Sequence, residues 1–215
     1  DKRSWTQTPR HIFSKCLKLS PATFILVVFG ATVCGAVYKG GRTLDHKYDF
    51  LKFFRLSNRI WTLFSSWNDN FICKVDIVKN ISGNTVFLET HYNISDKGYI
   101  NKSRGELSNV RHKGKTLNVM SINDESQGRL YKEFVFASPN YTCAVILVER
   151  SRGWPPSTFD LLVNESKLDE GPSAECMKEY DENVRARRIV QKSRTVYYPA
   201  CQTPKQARNV HQLSG

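Results

Sequence analysis

From Ile60 onward the chain breaks into short segments dense in β-branched and aromatic residues, each bounded by Gly, Asn, Asp, Ser or Pro. The segments 60–65, 71–79, 85–92, 116–122, 130–137, 143–149 and 158–163 all read this way. Strands this short and this regularly spaced predict an antiparallel barrel or sandwich; an α/β sheet would interpose a helix between successive strands. Two helical stretches flank the series. Residues 45–57 carry Tyr48, Leu51 and Phe54 at a spacing of three, and residues 174–187 place Cys176, Met177, Tyr180 and Val184 on one side, so the second helix is expected to pack against the barrel. Residues 196–201 read as a short extended tail.

The six cysteines divide around an apolar run of 13 residues, Phe24 to Ala36, with Arg10, Lys15 and Lys18 ahead of it. A basic flank, a short apolar core and small residues at Cys34-Gly35-Ala36 are the layout of a secretory signal. The run is shorter than the ~20 residues needed to span a bilayer. Residues 1–36 are therefore expected to be upstream and signal residues, with 37–215 forming one domain outside the cell and no membrane anchor in the mature form. Cys73, Cys143, Cys176 and Cys201 remain, an even set that reads as two disulfides with three connectivities open.

The whole chain carries 32 Lys and Arg against 20 Asp and Glu; without residues 1–36 the balance is 27 against 19. A basic surface favours anionic partners, but secretion argues against nucleic acid. The densest cluster, Arg185, Arg187, Arg188, Lys192 and Arg194, reads as a solvated helix face and following loop. Patterns for nucleophilic, zinc-dependent, phosphate-binding or dinucleotide-binding chemistry are missing, and the five histidines are scattered, so neither an enzyme nor a metal or cofactor site is expected. Sequons occur at Asn80, Asn93, Asn101, Asn140 and Asn164; five exceeds the roughly two that fourteen asparagines would give by chance.

A first strand carrying Trp61, an Asn-Asp-Asn-Phe approach to Cys73, and an ending of Cys176-x3-Tyr180 then Tyr197-Tyr198-Pro199-Ala200-Cys201 stand in a specific order. In this the chain resembles the tick salivary lipocalins, whose best-known members are histamine-binding proteins, from about Tyr48 to Cys201. The resemblance implies an all-β fold: an eight-stranded antiparallel lipocalin barrel around a closed pocket, flanked by an N-terminal and a C-terminal helix. It also implies the pairing Cys73 with Cys201 and Cys143 with Cys176.

Amine-binding members of the family carry an acid after the first cysteine of the second pair, and Glu-Leu-aromatic before the second. Here those stretches are Cys143-Ala144-Val145 and Asp160-Leu161-Leu162. One acid is lost to Ala144, the other shortened to Asp160, and the aromatic replaced by Leu162, which removes a ring that could stack on a cationic ligand. Tyr131 and Glu133 match a pocket aromatic and acid, Glu106 an acid on an earlier strand, and Trp67 a pocket tryptophan. Alternation puts Tyr131, Glu133 and Val135 on one face and Lys132, Phe134 and Phe136 on the other, and does not decide which faces inward. The resemblance implies a non-enzymatic, monomeric, secreted protein that sequesters a small host mediator, histamine or another biogenic amine, and so counters host inflammation and immune defence. The weakened acid signature and basic balance favour an alternative, an eicosanoid or other lipid mediator. A third reading is an interaction protein whose basic surface binds a host protein or glycan.

Overall fold

Eight antiparallel strands close on themselves: β1 (Arg59–Ser65), β2 (Phe71–Ser82), β3 (Thr85–Ile94), β4 (Lys97–Ser108), β5 (Val119–Asp124), β6 (Gly128–Ala137), β7 (Cys143–Arg150) and β8 (Ser157–Asn164). Each pairs with the next, β8 returns to β1, and β1 pairs with β2. The structure is a computed structural model and describes residues 47–109, 116–124, 128–152, 157–186 and 192–202. The expected signal segment and its cleavage site, Trp154, Arg187 and Arg188 lie outside the described residues.

β4 is absent from the segments picked out by composition. Residues 97–102 are all exposed, so this strand has no apolar stripe until Gly105 and Leu107 reach the interior. It forms because the chain reverses at Ser95-Asp96, both at positive φ, 47° and 65°. Such a two-residue turn matches the twist of the strands it joins.

α1 (Phe50–Leu56) starts at Asp49, whose Oδ1 accepts from Leu51 N at 2.8 Å and whose Oδ2 accepts from Leu117 N at 3.1 Å. The cap fixes where the helix begins and ties it to the segment before β5. Phe50, Phe53 and Phe54 then enter the interior with Ile60, Val86, Leu107, Met120, Phe134 and Leu162. Phe134 sits among them, 4.3 Å from Phe50 and edge-on to Phe53 at 5.6 Å between centroids. These residues come from one end of each strand, so α1 closes that end.

A second apolar layer covers the outside of the barrel. Trp61, Val75, Val145, Leu147, Phe159, Leu161 and Val163 point outward and are buried. They are covered by α2 (Ala174–Ala186), through Cys176, Tyr180 and Val184, and by the tail. Cys143–Cys176 fastens α2 to the start of β7, and Cys73–Cys201 fastens the tail to β2. That is the pairing the family resemblance implies. Cys73 takes a left-handed φ of 54° at a bulge between Ile72 and Val75. The bulge sends Cys73 to the outer layer while Phe71 and Lys74 both line the interior. A short β9 (Arg194–Thr195) then pairs with the end of β1.

Candidate ligand-binding site

The end opposite α1 holds a cavity of about 380 Å³, of the size that takes one small molecule. Its apolar wall is Phe71, Ile94, Ile122, Leu130 and Val148, with the rings of Trp67 and Tyr92. Its polar wall includes Lys74, Thr90, Lys132 and Arg150, and the two lysines pair with buried acids, Asp76 and Asp160, that do not themselves line it. Asp76 is 5% exposed. Its Oδ2 accepts from Lys132 Nζ at 3.0 Å and its Oδ1 from the Thr90 hydroxyl at 2.6 Å. Asp160 is 2% exposed. Its Oδ2 meets Lys74 Nζ at 3.3 Å and its Oδ1 accepts from the Ser65 hydroxyl at 2.7 Å. Arg150 donates to Thr158 Oγ1 at 2.7 Å and lies 3.8 Å over the Trp67 ring.

Buried carboxylates are costly unless a cation and hydrogen bonds compensate them. Both acids here have each. Burial raises the Asp76 carboxyl, but Lys132, Lys74 and the Thr90 hydroxyl outweigh it and hold its pKa at about 2. Burial likewise raises Asp160, and Lys74, Ser65, Arg150 and Lys132 together hold it below the ordinary carboxylate range. Lys74, Lys132 and Arg150 thus face the interior against Asp76 and Asp160, and further acids, Asp69 and Asp124, stand in the cavity wall on the loop before β2 and at the end of β5.

Trp67 lines the cavity; Asp160 does not, but is joined to it through one hydroxyl: Ser65 Oγ accepts from Trp67 N at 3.1 Å and donates to Asp160. The other three residues matched to the pocket turn away from it. Glu106 is on the outer face of β4, exposed, bound by Arg104 and the Thr85 hydroxyl; its neighbours Gly105 and Leu107 take the inward positions. Tyr131 stands outside β6 with Arg129 donating to its hydroxyl at 3.1 Å. Glu133 is 5% exposed, yet its burial is outside the barrel, on the face that continues to Val135 under the outer layer. Leu130, Lys132 and Phe134 are the inward residues of β6. Of the sequon asparagines, Asn164 is 1% exposed and its Nδ2 donates to Tyr141 O at 2.8 Å.

The residues missed from sequence are Lys74, Asp76, Lys132 and Arg150. In Cys73-Lys-Val-Asp-Ile-Val78 the charged positions alternate with β-branched ones, a pattern that ordinarily marks the solvated face. Here it marks the interior, because the apolar face is covered from outside. Arg194, which the sequence places in a solvated basic cluster, is half-buried at the mouth. It donates to Trp67 O at 2.8 Å and Phe71 O at 2.7 Å, and stacks on Phe71 at 4.2 Å, fixing the mouth loop between β1 and β2. Among the described residues no set of His, Cys, Asp and Glu is arranged to hold a metal ion, and no helix is long and apolar enough to cross a membrane.

The fold has relatives among solved structures. The crystal structure of AM182 in complex with serotonin is similar with a TM-score of 0.51 at 11% identity, over 74% of this chain and 97% of that one. The siderocalin Ex-FABP, described as functioning through dual ligand specificities, is similar with a TM-score of 0.50 at 8% identity, over 66% and 94%. At such identities the likeness shows the fold alone. No curated protein matches the chain. The family model described as tick histamine binding protein matches residues 52–203, which spans the barrel, both disulfides and α2. With that match over a closed eight-stranded barrel and an interior pocket, the chain belongs to the tick histamine-binding protein family, a ligand-binding branch of the lipocalins.

Proposed function

We propose that the protein is secreted after loss of residues 1–36, that residues 37–215 form its single domain, and that it sequesters a small amphiphilic host mediator carrying one anionic group. One observation carries the choice of charge. Each buried carboxylate is matched by a lysine and a hydroxyl, and Arg150 adds a third cation to the cavity wall beside those two pairs. A ligand carboxylate would enter beside Arg150, and its apolar body would meet Phe71, Ile94, Ile122 and Leu130. Sequestration needs no turnover, only this complementarity.

A second reading keeps the amine. Asp69 and Asp124 stand in the cavity wall with the rings of Trp67 and Tyr92, an arrangement that suits a small aromatic ammonium. Calorimetric titration with a C20 polyunsaturated fatty acid, histamine and serotonin separates the two. The anionic reading expects the fatty acid to bind most tightly and Arg150→Gln to weaken it about ten- to a hundred-fold, the loss of one charge-assisted hydrogen bond. Tight amine binding that falls in Asp124→Asn and ignores Arg150→Gln would replace it.

A further inference from the structure

The sequons stand in very different relations to the cavity. Asn80 is exposed near the α1 end of β2, and Asn140 is exposed in the β6–β7 turn. Asn93 alternates with Tyr92 and Ile94, which line the cavity, and so faces out. Asn164 is buried. Asn101 differs from all of these. It is exposed, yet both it and Ser103, the first and third residues of its sequon, line the cavity. Lys102 between them reaches outward toward Glu89. Asn101 Nδ2, the atom a glycan would join, lies 2.9 Å from Asp124 Oδ2 on the neighbouring strand.

We propose that Asn101 carries an N-glycan that stands in the mouth of the barrel and controls passage into the cavity. The donor is a lipid-linked diphosphate oligosaccharide. The bond from sugar C1 to the diphosphate oxygen breaks, a C1–Nδ2 bond forms, the amide gives up one proton, and the lipid diphosphate leaves. The substituted amide keeps one N–H, which can still donate to Asp124. A core of several sugar rings is too large for a cavity of about 380 Å³, so it remains at the rim. There Tyr99, two residues before Asn101 on the same strand face, offers an aromatic platform. It is 43% exposed and stacked on Tyr92 at 5.5 Å and 13°. An aromatic ring exposed at a rim and braced from beneath suits packing against a sugar face. The glycan then covers the opening without occupying the ion-paired interior, so it slows exchange and leaves the binding contacts intact.

This rests on entry into the secretory pathway and is independent of the ligand's charge. The test uses the full chain expressed in insect cells, with glycopeptide mass spectrometry for occupancy at Asn101. The wild type is compared with Asn101→Gln from the same cells, which keeps the other sequons, and with unglycosylated wild type refolded from bacteria. Stopped-flow association of a dansylated fatty acid and of serotonin reads entry, and acrylamide quenching of tryptophan fluorescence reads access with no ligand present. In a Trp154→Phe background with residues 1–36, and hence Trp5, absent from every form, Trp61 is buried at 1% exposure and Trp67 is the quenchable ring. The expectation is an occupied Asn101 and an association rate and quenching constant about tenfold lower than in both forms that lack the Asn101 glycan, a slowing of the kind a gated site imposes. An unoccupied Asn101, or equal quenching in the three forms, overturns the proposal. So does fast entry in Asn101→Gln with slow entry in the bacterial protein, which would assign the effect to the lost Asp124 hydrogen bond. If neither probe binds any form, quenching still decides the gate, and only the ligand reading falls.

Discussion

Asp76 shows how much one inward residue can carry. Its carboxylate is buried, bridged to Lys132 and to Thr90, with a pKa held at about 2. A folded-state pKa below the unfolded one stabilises the fold above the unfolded value and withdraws that support as pH falls toward the folded value. The contribution from a drop of this size is about 2 kcal/mol, present at neutral pH and lost between about pH 4 and pH 2. Urea denaturation across that range is expected to show the decline in the wild type and a shallower one in Asp76→Asn. At neutral pH the same substitution is expected to cost about 3–5 kcal/mol, because Lys132 stays charged and buried without its partner. A neutral-pH loss below about 1 kcal/mol would mean that water reaches the pair. Asp160 was identifiable from the cysteine framework around it. Asp76 was not, since a charge alternating with valine and isoleucine reads as solvent-facing.

At the scale of elements, the mouth loop between β1 and β2 depends on β9. Arg194 holds the carbonyls of Trp67 and Phe71, and Trp67 carries Arg150 on its ring. Replacing Arg194 with Met removes two charge-assisted hydrogen bonds, and stability is expected to fall by about 2 kcal/mol. The more specific sign is local: amides of residues 66–72 should exchange faster while those of β7 and β8 keep their protection. Trp67→Ala should weaken ligand binding by removing a wall of the cavity. If Arg194→Met instead leaves exchange in 66–72 unchanged, the clamp is not what orders the loop. Sequence legibility follows burial at this scale too. α2 was readable to within a residue at its end because Cys176, Tyr180 and Val184 form one buried stripe. β4 was not, because its first half has no buried face and its existence is dictated by the Ser95-Asp96 reversal and its partners.

For the whole molecule, the barrel is a layer with apolar residues on both sides. β7 and β8 are buried at nearly every position, since one face meets the interior and the other meets α2 and the tail. Alternation therefore could not say which face of β6 was inside; the order of cysteines and aromatic motifs carried the fold, and the charges of the interior became visible only with the strands placed. This double layer gives the two disulfides unequal roles. They close separations of 33 and 128 residues, and chain entropy assigns them about 4 and about 5 kcal/mol, nearly the same. Their positions differ far more than their energies. Cys143–Cys176 fastens a helix to the outside of β7, remote from the cavity. Cys73–Cys201 fastens the tail beside Phe71 and Lys74, and Cys73 N donates to Val196 O at 2.7 Å just after β9. Losing the second bridge releases β9, and with it Arg194 from the carbonyls of Trp67 and Phe71. The paired substitution Cys143→Ala with Cys176→Ala is thus expected to lower stability by about 2–4 kcal/mol and leave ligand affinity within about threefold. The pair Cys73→Ala with Cys201→Ala is expected to lower stability similarly and weaken binding about tenfold or more. Denaturation curves and titrations measured below both unfolding transitions check this. Equal losses of affinity in the two variants would show that binding tracks global stability, and that the tail does not order the mouth.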